Sequence, residues 1–286
     1  MFFKDKRKYI FVTVIYLLFY SCFSYADISL KFGLYSSDKA SDMVRKFRPV
    51  LNFLELKLTE LLGDTVVIRI KVASSYGKGI DNLVNGKVDF ARFGPASYIL
   101  SKQRNQKIKI IVIEKNKKVK KISGAIVTQI NSKINSLGDL TGKSFAFGNK
   151  DSTTGRYFSQ YRLYENGIKA NKLSKYNYLG RHDRVAAAVF SGQYDAGSFK
   201  ISTLNKFLKK GRKFKILTTF PTIYKPWLAK EQLDEKTFNA MQLALIHLKN
   251  KQILSKLEHA GFALGSESDF KHVKQVIEKN HLFFKQ

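Results

Sequence analysis

The sequence predicts an α/β fold built from two lobes. For most of its length, segments whose apolar residues alternate, as in a strand, are followed by segments whose apolar residues recur at helical spacing. Such alternation favours sheets with helices on both faces. The pattern breaks near residue 123, and a strand-like run returns near residue 214. These two points predict two crossings between a first lobe and a second lobe inserted within it.

The predicted first lobe alternates four strands with three helices. Gly63 ends the first of these helices, and Gly94-Pro95 opens the third. The predicted strands are 28–34, 66–72, 88–93 and 108–113, and the predicted helices are 42–62, 79–84 and 95–100. The first lobe is therefore expected to begin with residues 27–123.

The predicted second lobe has the same alternation. The predicted strands are 124–130, 144–148, 175–179 and 194–199, with a return strand at 214–220, and the predicted helices are 154–166, 183–190 and 202–209. From residue 230 onward the apolar spacing is helical. We expect residues 124–214 to form the second lobe and residues 215–286 to complete the first.

Residues 1–26 have the pattern of a secretory signal peptide: basic residues, an apolar run over 9–23, and small residues before a cut after Ala26. The run is shorter than the roughly 20 residues that span a bilayer. We therefore expect cleavage and export to the periplasm rather than an uncleaved anchor. Cys22, the only cysteine, is either discarded with the signal, as we expect, or lipidated.

The chain is strongly basic, with 51 lysines and arginines against 22 acidic residues and a net charge of +29. Such a charge attracts nucleic acids, anionic membranes or small anions. The lysines are scattered, without a basic arm or a basic-aromatic module. We therefore expect anion steering and no nucleic-acid binding. An exported protein that binds polyanions through its net charge stays an alternative, and strong salt dependence would identify it.

Three hydroxyl residues, Ser152, Thr153 and Thr154, lie where a predicted strand ends and a helix begins. The first N–H groups of a helix lack intrahelical partners and carry partial positive charge, and hydroxyls add donors. The pattern is typical of an anion site, which Gly155 would let a ligand approach closely. An ordinary Ser/Thr helix cap is the alternative.

Other polar residues follow strands in the same way. His182 precedes a predicted helix and could donate to an oxyanion, and Asp183 could cap that helix. Tyr76 and Tyr98 each come shortly after a strand. The carboxyl ends of strands converge on the ligand crevice of α/β sheets. Each tyrosine could instead be a packing residue.

Five motifs follow one another along the chain: G-x-V-D-F-A-x-F-G-P-x-S-Y (86–98), S-L-x-D-L-x-G-K (136–143), D-S-T-T-G (151–155), G-x-H-D (180–183) and G-x-Y-D-A-G (192–197). In this order they resemble the phosphate/phosphonate-binding proteins of ABC importers, over roughly residues 28–228. The resemblance implies a two-lobed, periplasmic-binding-protein-like fold of type II. Each lobe would be a mixed sheet flanked by helices, closing at a hinge.

The resemblance also implies roles for residues. Ser152, Thr153, Thr154 and His182 would hold the oxygens of a small phosphorus oxyanion, such as a phosphonate, phosphite or phosphate. Tyr98 and Tyr76 would line the cleft. Relatives that take aminoalkyl ligands also supply carboxylates for the ammonium group, and the motifs of this sequence contain no matching carboxylate.

The function implied is capture of the oxyanion and its delivery to an ABC permease in the inner membrane. A ligand-sensing module that reports to a membrane signalling partner is the alternative, because it would use the same pocket. The sequence lacks a nucleophile elbow, zinc-ligand spacing and a glycine-rich nucleotide motif. We therefore expect no catalysis, no metal and no cofactor. We also expect a monomer.

Overall fold

The computed structural model describes residues 27–115, 122–223 and 225–285. The predicted signal peptide, including Cys22, lies outside the described residues. Among the helices that are described, none combines the length and apolar character needed to cross a bilayer.

Eleven strands and nine α-helices are described. The strands are β1 Ile28–Tyr35, β2 Val66–Ala73, β3 Phe90–Arg92, β4 Lys109–Lys115, β5 Ile122–Gln129, β6 Ser144–Phe147, β7 Lys175–Tyr178, β8 Ala196–Lys200, β9 Phe214–Pro221, β10 Pro226–Ala229 and β11 Gly261–Ala263. The helices are α1 Ala40–Leu62, α2 Tyr76–Val84, α3 Pro95–Arg104, α4 Phe158–Glu165, α5 His182–Phe190, α6 Ile201–Leu208, α7 Glu235–Ile246, α8 Lys251–Leu257 and α9 Lys271–Glu278.

The strands form two sheets. The first has the order β11-β4-β10-β3-β1-β2, and the second has the order β7-β6-β8-β5-β9. Within the first sheet, β1 runs parallel to β2 and β3, whereas β10 runs antiparallel to β3 and β4. Within the second, β6 is parallel to β7 and β8, whereas β5 is antiparallel to β8 and β9. The prediction of two mixed sheets flanked by helices is confirmed.

An aromatic cluster forms the core under the first sheet. Phe32 of β1 stacks on Trp227 of β10 with ring centroids 5.0 Å apart, and Phe47 of α1 meets the edge of the same indole. All three side chains are fully buried. Helix α1 therefore packs its apolar face across the centre of the sheet and fixes β1, whose carboxyl end faces the second lobe.

The second sheet extends further along the chain than the sequence predicted. Strand β9, Phe214–Pro221, pairs with β5 along its length. The predicted boundary at residue 214 therefore falls at the start of a strand of the second sheet. A return strand must pair its backbone groups with a neighbour, and β5 is that neighbour. The chain returns to the first sheet between Pro221 and Pro226.

The C-terminal segment also packs on the second lobe, although the sequence assigned it to the first. Asn280 accepts a hydrogen bond from Arg156 at 2.9 Å and donates one to Gln160 at 2.8 Å. The ring of Phe283 meets that of Phe147 at 5.8 Å. Asn280 and Phe283 are buried by these contacts. The end of the chain therefore crosses from β11 to the second lobe.

Candidate functional site

The candidate site lies where the two lobes meet, at the carboxyl ends of strands from both sheets. Tyr35 ends β1, Tyr76 begins α2 after β2, Ser152 follows β6, and His182 begins α5 after β7. All four side chains are buried. Loops at the carboxyl ends of strands form the ligand crevice of α/β sheets, and here they bring polar groups together in a water-excluded place.

The hydroxyl triplet begins a helix, as predicted. The Ser152 hydroxyl accepts a hydrogen bond from the Gly155 N–H at 3.0 Å, and a π-helical turn, Thr153–Tyr157, then leads into α4. A Cβ on Gly155 would lie 2.9 Å from the Cα of Gly148. Gly155 is therefore required by close packing of the helix start on the end of β6, a different reason from the predicted approach of an anion.

Two helix starts face each other across the lobes. The Thr153 hydroxyl oxygen of the second lobe accepts a hydrogen bond from the Ala96 N–H of the first at 2.9 Å. The Ser97 hydroxyl donates to the carbonyl of Asp151 at 3.3 Å. The N-terminal turn of α3 thus lies directly against the hydroxyl triplet, and both turns supply N–H groups to one region.

His182 is buried at the centre of this region. Its Nε2 lies 3.5 Å from the Tyr76 hydroxyl, and its backbone N–H donates to the Ser37 carbonyl at 3.3 Å. Its Nδ1 is buried and has no hydrogen-bond partner among the described residues. Burial, with the charges of Lys200 and Lys225, lowers the pKa of His182 to about 3. The imidazole is therefore neutral at pH 7, with one ring nitrogen able to donate and the other to accept.

Asp183 does not cap the helix that His182 begins. Its carboxylate accepts two hydrogen bonds of 3.0 Å from the Arg181 guanidinium. The predicted capping role is wrong, because this adjacent bidentate partner holds the carboxylate.

Two stacked tyrosines lie on the first-lobe side of the candidate site. The rings of Tyr35 and Tyr76 lie 3.8 Å apart and nearly parallel. The Tyr35 hydroxyl accepts from the Gly94 N–H at 2.6 Å and lies 3.1 Å from the Ser97 hydroxyl. Burial raises the pKa of both phenols. Both therefore stay protonated at neutral pH.

The structure does not bring Tyr98 to this cluster. Its ring meets the Phe270 ring at 4.6 Å, and it lines a different cavity together with Lys102 and Glu267. Successive residues of a helix point in different directions, so the turn that aims Ser97 at the second lobe aims Tyr98 at the C-terminal segment. Tyr35 supplies the second tyrosine of the cluster. Its position as the last residue of a strand was the signal that could have identified it.

One ion pair missed by the sequence analysis joins the lobes beside His182. Lys200, the last residue of β8, pairs with the buried carboxylate of Asp38 in the first lobe. Burial alone would raise the pKa of Asp38, but the charge and hydrogen bond of Lys200 hold it well below its usual range. The Asp38 carboxylate therefore stays ionised at neutral pH.

Known proteins share this sequence pattern and architecture. The family model for periplasmic substrate-binding proteins of phosphonate ABC transporters matches residues 32–270. A protein of Prochlorococcus marinus, named a probable ABC transporter phosphite-binding protein, is 23% identical over 275 residues, which cover 87% of this chain and 84% of the relative.

Solved structures agree in fold. A Prochlorococcus marinus protein in complex with methylphosphonate superposes with a TM-score of 0.78 at 21% identity, covering 89% of this chain and 98% of the other. The binding protein component of a Pseudomonas aeruginosa ABC phosphonate transporter has the same TM-score at 18% identity, covering 90% and 87%. The resemblance and the fold of type II are confirmed. This chain belongs to the family of periplasmic substrate-binding proteins of phosphonate ABC transporters, a transport component and not an enzyme.

Proposed function

We propose that this protein captures a small phosphorus oxyanion between its lobes, at a site made by Ser152, Thr153, Thr154, His182 and Tyr76. The observation that carries the proposal is the buried Nδ1 of His182, which has no hydrogen-bond partner among the described residues. A buried polar atom of this kind costs free energy unless an acceptor or donor reaches it. An oxyanion in contact with His182 would supply that acceptor.

The surrounding groups suit an anion of three or four oxygens. The hydroxyl triplet begins a helix, where N–H groups and the helix dipole favour negative charge. The Tyr76 hydroxyl is held protonated by burial and can donate to Nε2 of His182, which leaves the proton of the neutral imidazole on Nδ1. The donors lie in the second lobe, and Tyr76 of the first lobe positions one of them, so an oxyanion bound at His182 would stabilise the arrangement in which the lobes are closed.

The closed form would then be recognised by the membrane permease of an ABC importer, as membership of the family implies. The family works in the periplasm, and we propose that residues 1–26 direct export there. We also propose that the protein acts as a monomer. The phosphite and methylphosphonate named for the relatives in Prochlorococcus marinus are the first ligands to test.

The test is isothermal titration calorimetry with methylphosphonate, phosphite and phosphate, using sulfate as a comparison. The site variant combines Thr153→Ala with Thr154→Ala. The matched control combines Thr141→Ala with Thr218→Ala, two threonines of the second lobe whose side chains form no hydrogen bond with the residues of the cluster. A hydrogen bond to a charged group is worth about 1.5–3 kcal/mol. The site variant should therefore weaken binding at least tenfold, since about 1.4 kcal/mol corresponds to a factor of ten.

The control should bind like the wild type. Equal affinities of the site variant and the control for the tightest phosphorus oxyanion would refute the assigned site. Absence of binding by every phosphorus oxyanion in the series would refute the proposed ligand class.

A further inference from the structure

A cationic cavity of about 510 Å³ lies beside the oxyanion site, between the lobes. The first lobe, the second lobe and the segment between β9 and β10 all contribute to it. Its positively charged lining residues are Lys46, Arg92, Lys200, Lys206, Lys209 and Lys225. Two carboxylates, those of Glu114 and Glu258, also line it. The lining is therefore positive even before the pairing of individual charges is considered.

Three of the cations are paired. Arg92 donates to both oxygens of Glu114, at 2.7 and 2.9 Å. Lys46 pairs with Glu258 at 2.8 Å, and Lys200 pairs with Asp38. The remaining lysines form no ion pair within the part of the chain that the structure describes: Lys206, Lys209 and Lys225. Three lysines that line the cavity therefore have no ion-pair partner among the described residues.

Lys225 shows most clearly how the cations around the cavity repel one another. Burial and the neighbouring charges of Arg92, Lys200 and Lys46 lower its pKa well below the usual range, and Glu114 offsets this only in part. Like charges in a place of low dielectric repel one another strongly. An anionic group in the cavity would relieve this repulsion, whereas an ammonium group would add to it.

His259, in the wall of the same cavity, has a buried ring nitrogen without a hydrogen-bond partner among the described residues. Its side chain is 2% exposed and lines the cavity. Its Nδ1 accepts a hydrogen bond from the Gly261 N–H at 3.2 Å, so the proton of the neutral ring is on Nε2. That Nε2 has no hydrogen-bond partner among the residues described, and the nearest oxygen of Glu114 is 4.0 Å away. The cavity wall thus contains a buried N–H donor without an acceptor.

The cavity adjoins the proposed oxyanion site. Ser37, whose carbonyl accepts from the His182 N–H, precedes Asp38, whose carboxylate pairs with Lys200 of the cavity wall. The charges of Lys200 and Lys225 also reach His182 closely enough to lower its pKa. A substituent on an oxyanion bound at His182 could therefore extend past Lys200 into the cavity.

We propose that the ligand carries a second anionic group, such as a carboxylate, which occupies this cavity. The inference rests on the proposed function, because it takes the phosphorus oxyanion to bind at His182. It assigns the ligand to the class of anionic organophosphonates, such as phosphonocarboxylates, and not to the aminoalkyl phosphonates.

The test compares three phosphonates that differ at the end of a two-carbon chain. Ethylphosphonate is neutral there, 2-aminoethylphosphonate carries an ammonium group, and 3-phosphonopropionate carries a carboxylate. Titration calorimetry at fixed pH and ionic strength should give the tightest binding for 3-phosphonopropionate. We expect at least a tenfold preference over 2-aminoethylphosphonate, with ethylphosphonate between them. Equal affinities, or tightest binding of the aminoalkyl ligand, would overturn the inference.

Variants distinguish the effect of the cavity lysines on ligand preference from the effect of the protein's net charge. Lys225→Met should reduce the preference for 3-phosphonopropionate over ethylphosphonate at least threefold. Lys206→Met, at an exposed position on α6, should have the same effect. Lys206→Met removes an exposed charge and should not disturb folding. The matched control is Lys172→Met, which removes the same unit charge from an exposed position of the second lobe that does not line the cavity. An equal loss of preference in the control would overturn the inference.

The two proposals fail differently. If ethylphosphonate binds and the terminal charge has no effect, the cavity inference fails while the proposed function stands. If none of the three phosphonates binds but methylphosphonate, phosphite or phosphate does, only the cavity inference fails. If no phosphorus oxyanion binds, the proposed function fails, and the inference that depends on it fails too.

Discussion

The neutral state of His182 predicts a specific dependence of stability on pH. Burial lowers the pKa of this imidazole to about 3, whereas an exposed histidine in the unfolded chain titrates near 6.5. Between these values the unfolded state binds a proton that the folded state does not. The free energy of unfolding therefore rises with pH across this window, and acidification from 7.5 to 5.0 destabilises the fold.

The magnitude follows from the distance between pH 5.0 and the unfolded pKa. Each pH unit below about 6.5 costs about 1.4 kcal/mol while the folded imidazole stays neutral. At pH 5.0 the buried His182 therefore lowers the free energy of unfolding by about 2 kcal/mol, compared with almost nothing at pH 7.5. Replacing His182 by Gln removes the titrating group and keeps a side chain that can hydrogen-bond.

The assay is urea denaturation of the wild type and of His182→Gln at pH 7.5 and 5.0. Contributions of other titrating groups, including His259, whose pKa is also lowered by burial, are common to both proteins and cancel in the difference. The wild type should lose about 2 kcal/mol more than the variant on acidification. Parallel losses in the two proteins would refute the interpretation that His182 is buried and neutral.

Two further predictions concern packing and charge near the site. Gly155→Ala places a Cβ 2.9 Å from the Cα of Gly148, so it should cost about 1–3 kcal/mol of stability and weaken oxyanion binding. The control in thermal denaturation is Gly138→Ala, whose Cβ makes only an ordinary contact at 3.6 Å. Equal melting temperatures of the two variants would contradict the packing argument. Arg92→Met leaves the Glu114 carboxylate, whose side chain is 9% exposed, without its bidentate partner and should cost about 3–5 kcal/mol. Adding Glu114→Leu should recover most of that loss in chemical denaturation, and a double variant no more stable than Arg92→Met would show that the unpaired carboxylate is not the cause.

The positions of several candidate site residues followed from a local signal in the sequence, and their role in binding stays a prediction. Ser152, Thr153, Thr154 and His182 were identified because each lies between a strand and a helix, and the structure buries all of them where the lobes meet. Tyr76 was identified in the same way and lies against His182. Their chemistry depends on their position at the start of a helix. The predicted order of strands and helices already indicates that position.

Other residues of the interlobe region had no such signal. Lys225 lies in a short connection after β9, among many lysines of the chain, and its contribution to the cavity depends on where that connection passes. Tyr98 has the expected residue type but the wrong orientation, because one residue along a helix turns the side chain by about 100°. Ser97 faces the second lobe in its place.

The sequence by itself determined the fold class, the mixed pattern of strands and helices and the family, because periodicity and motif order are local properties of the chain. Only the tertiary structure decided which lobe β9 and the C-terminal segment join, since both depend on pairing and burial between distant residues. It also decided that Lys46, Lys200 and Lys225, far apart in the chain, surround one cavity. The electrostatic character of that cavity follows from distances in space, and these are fixed only when the lobes have folded and met.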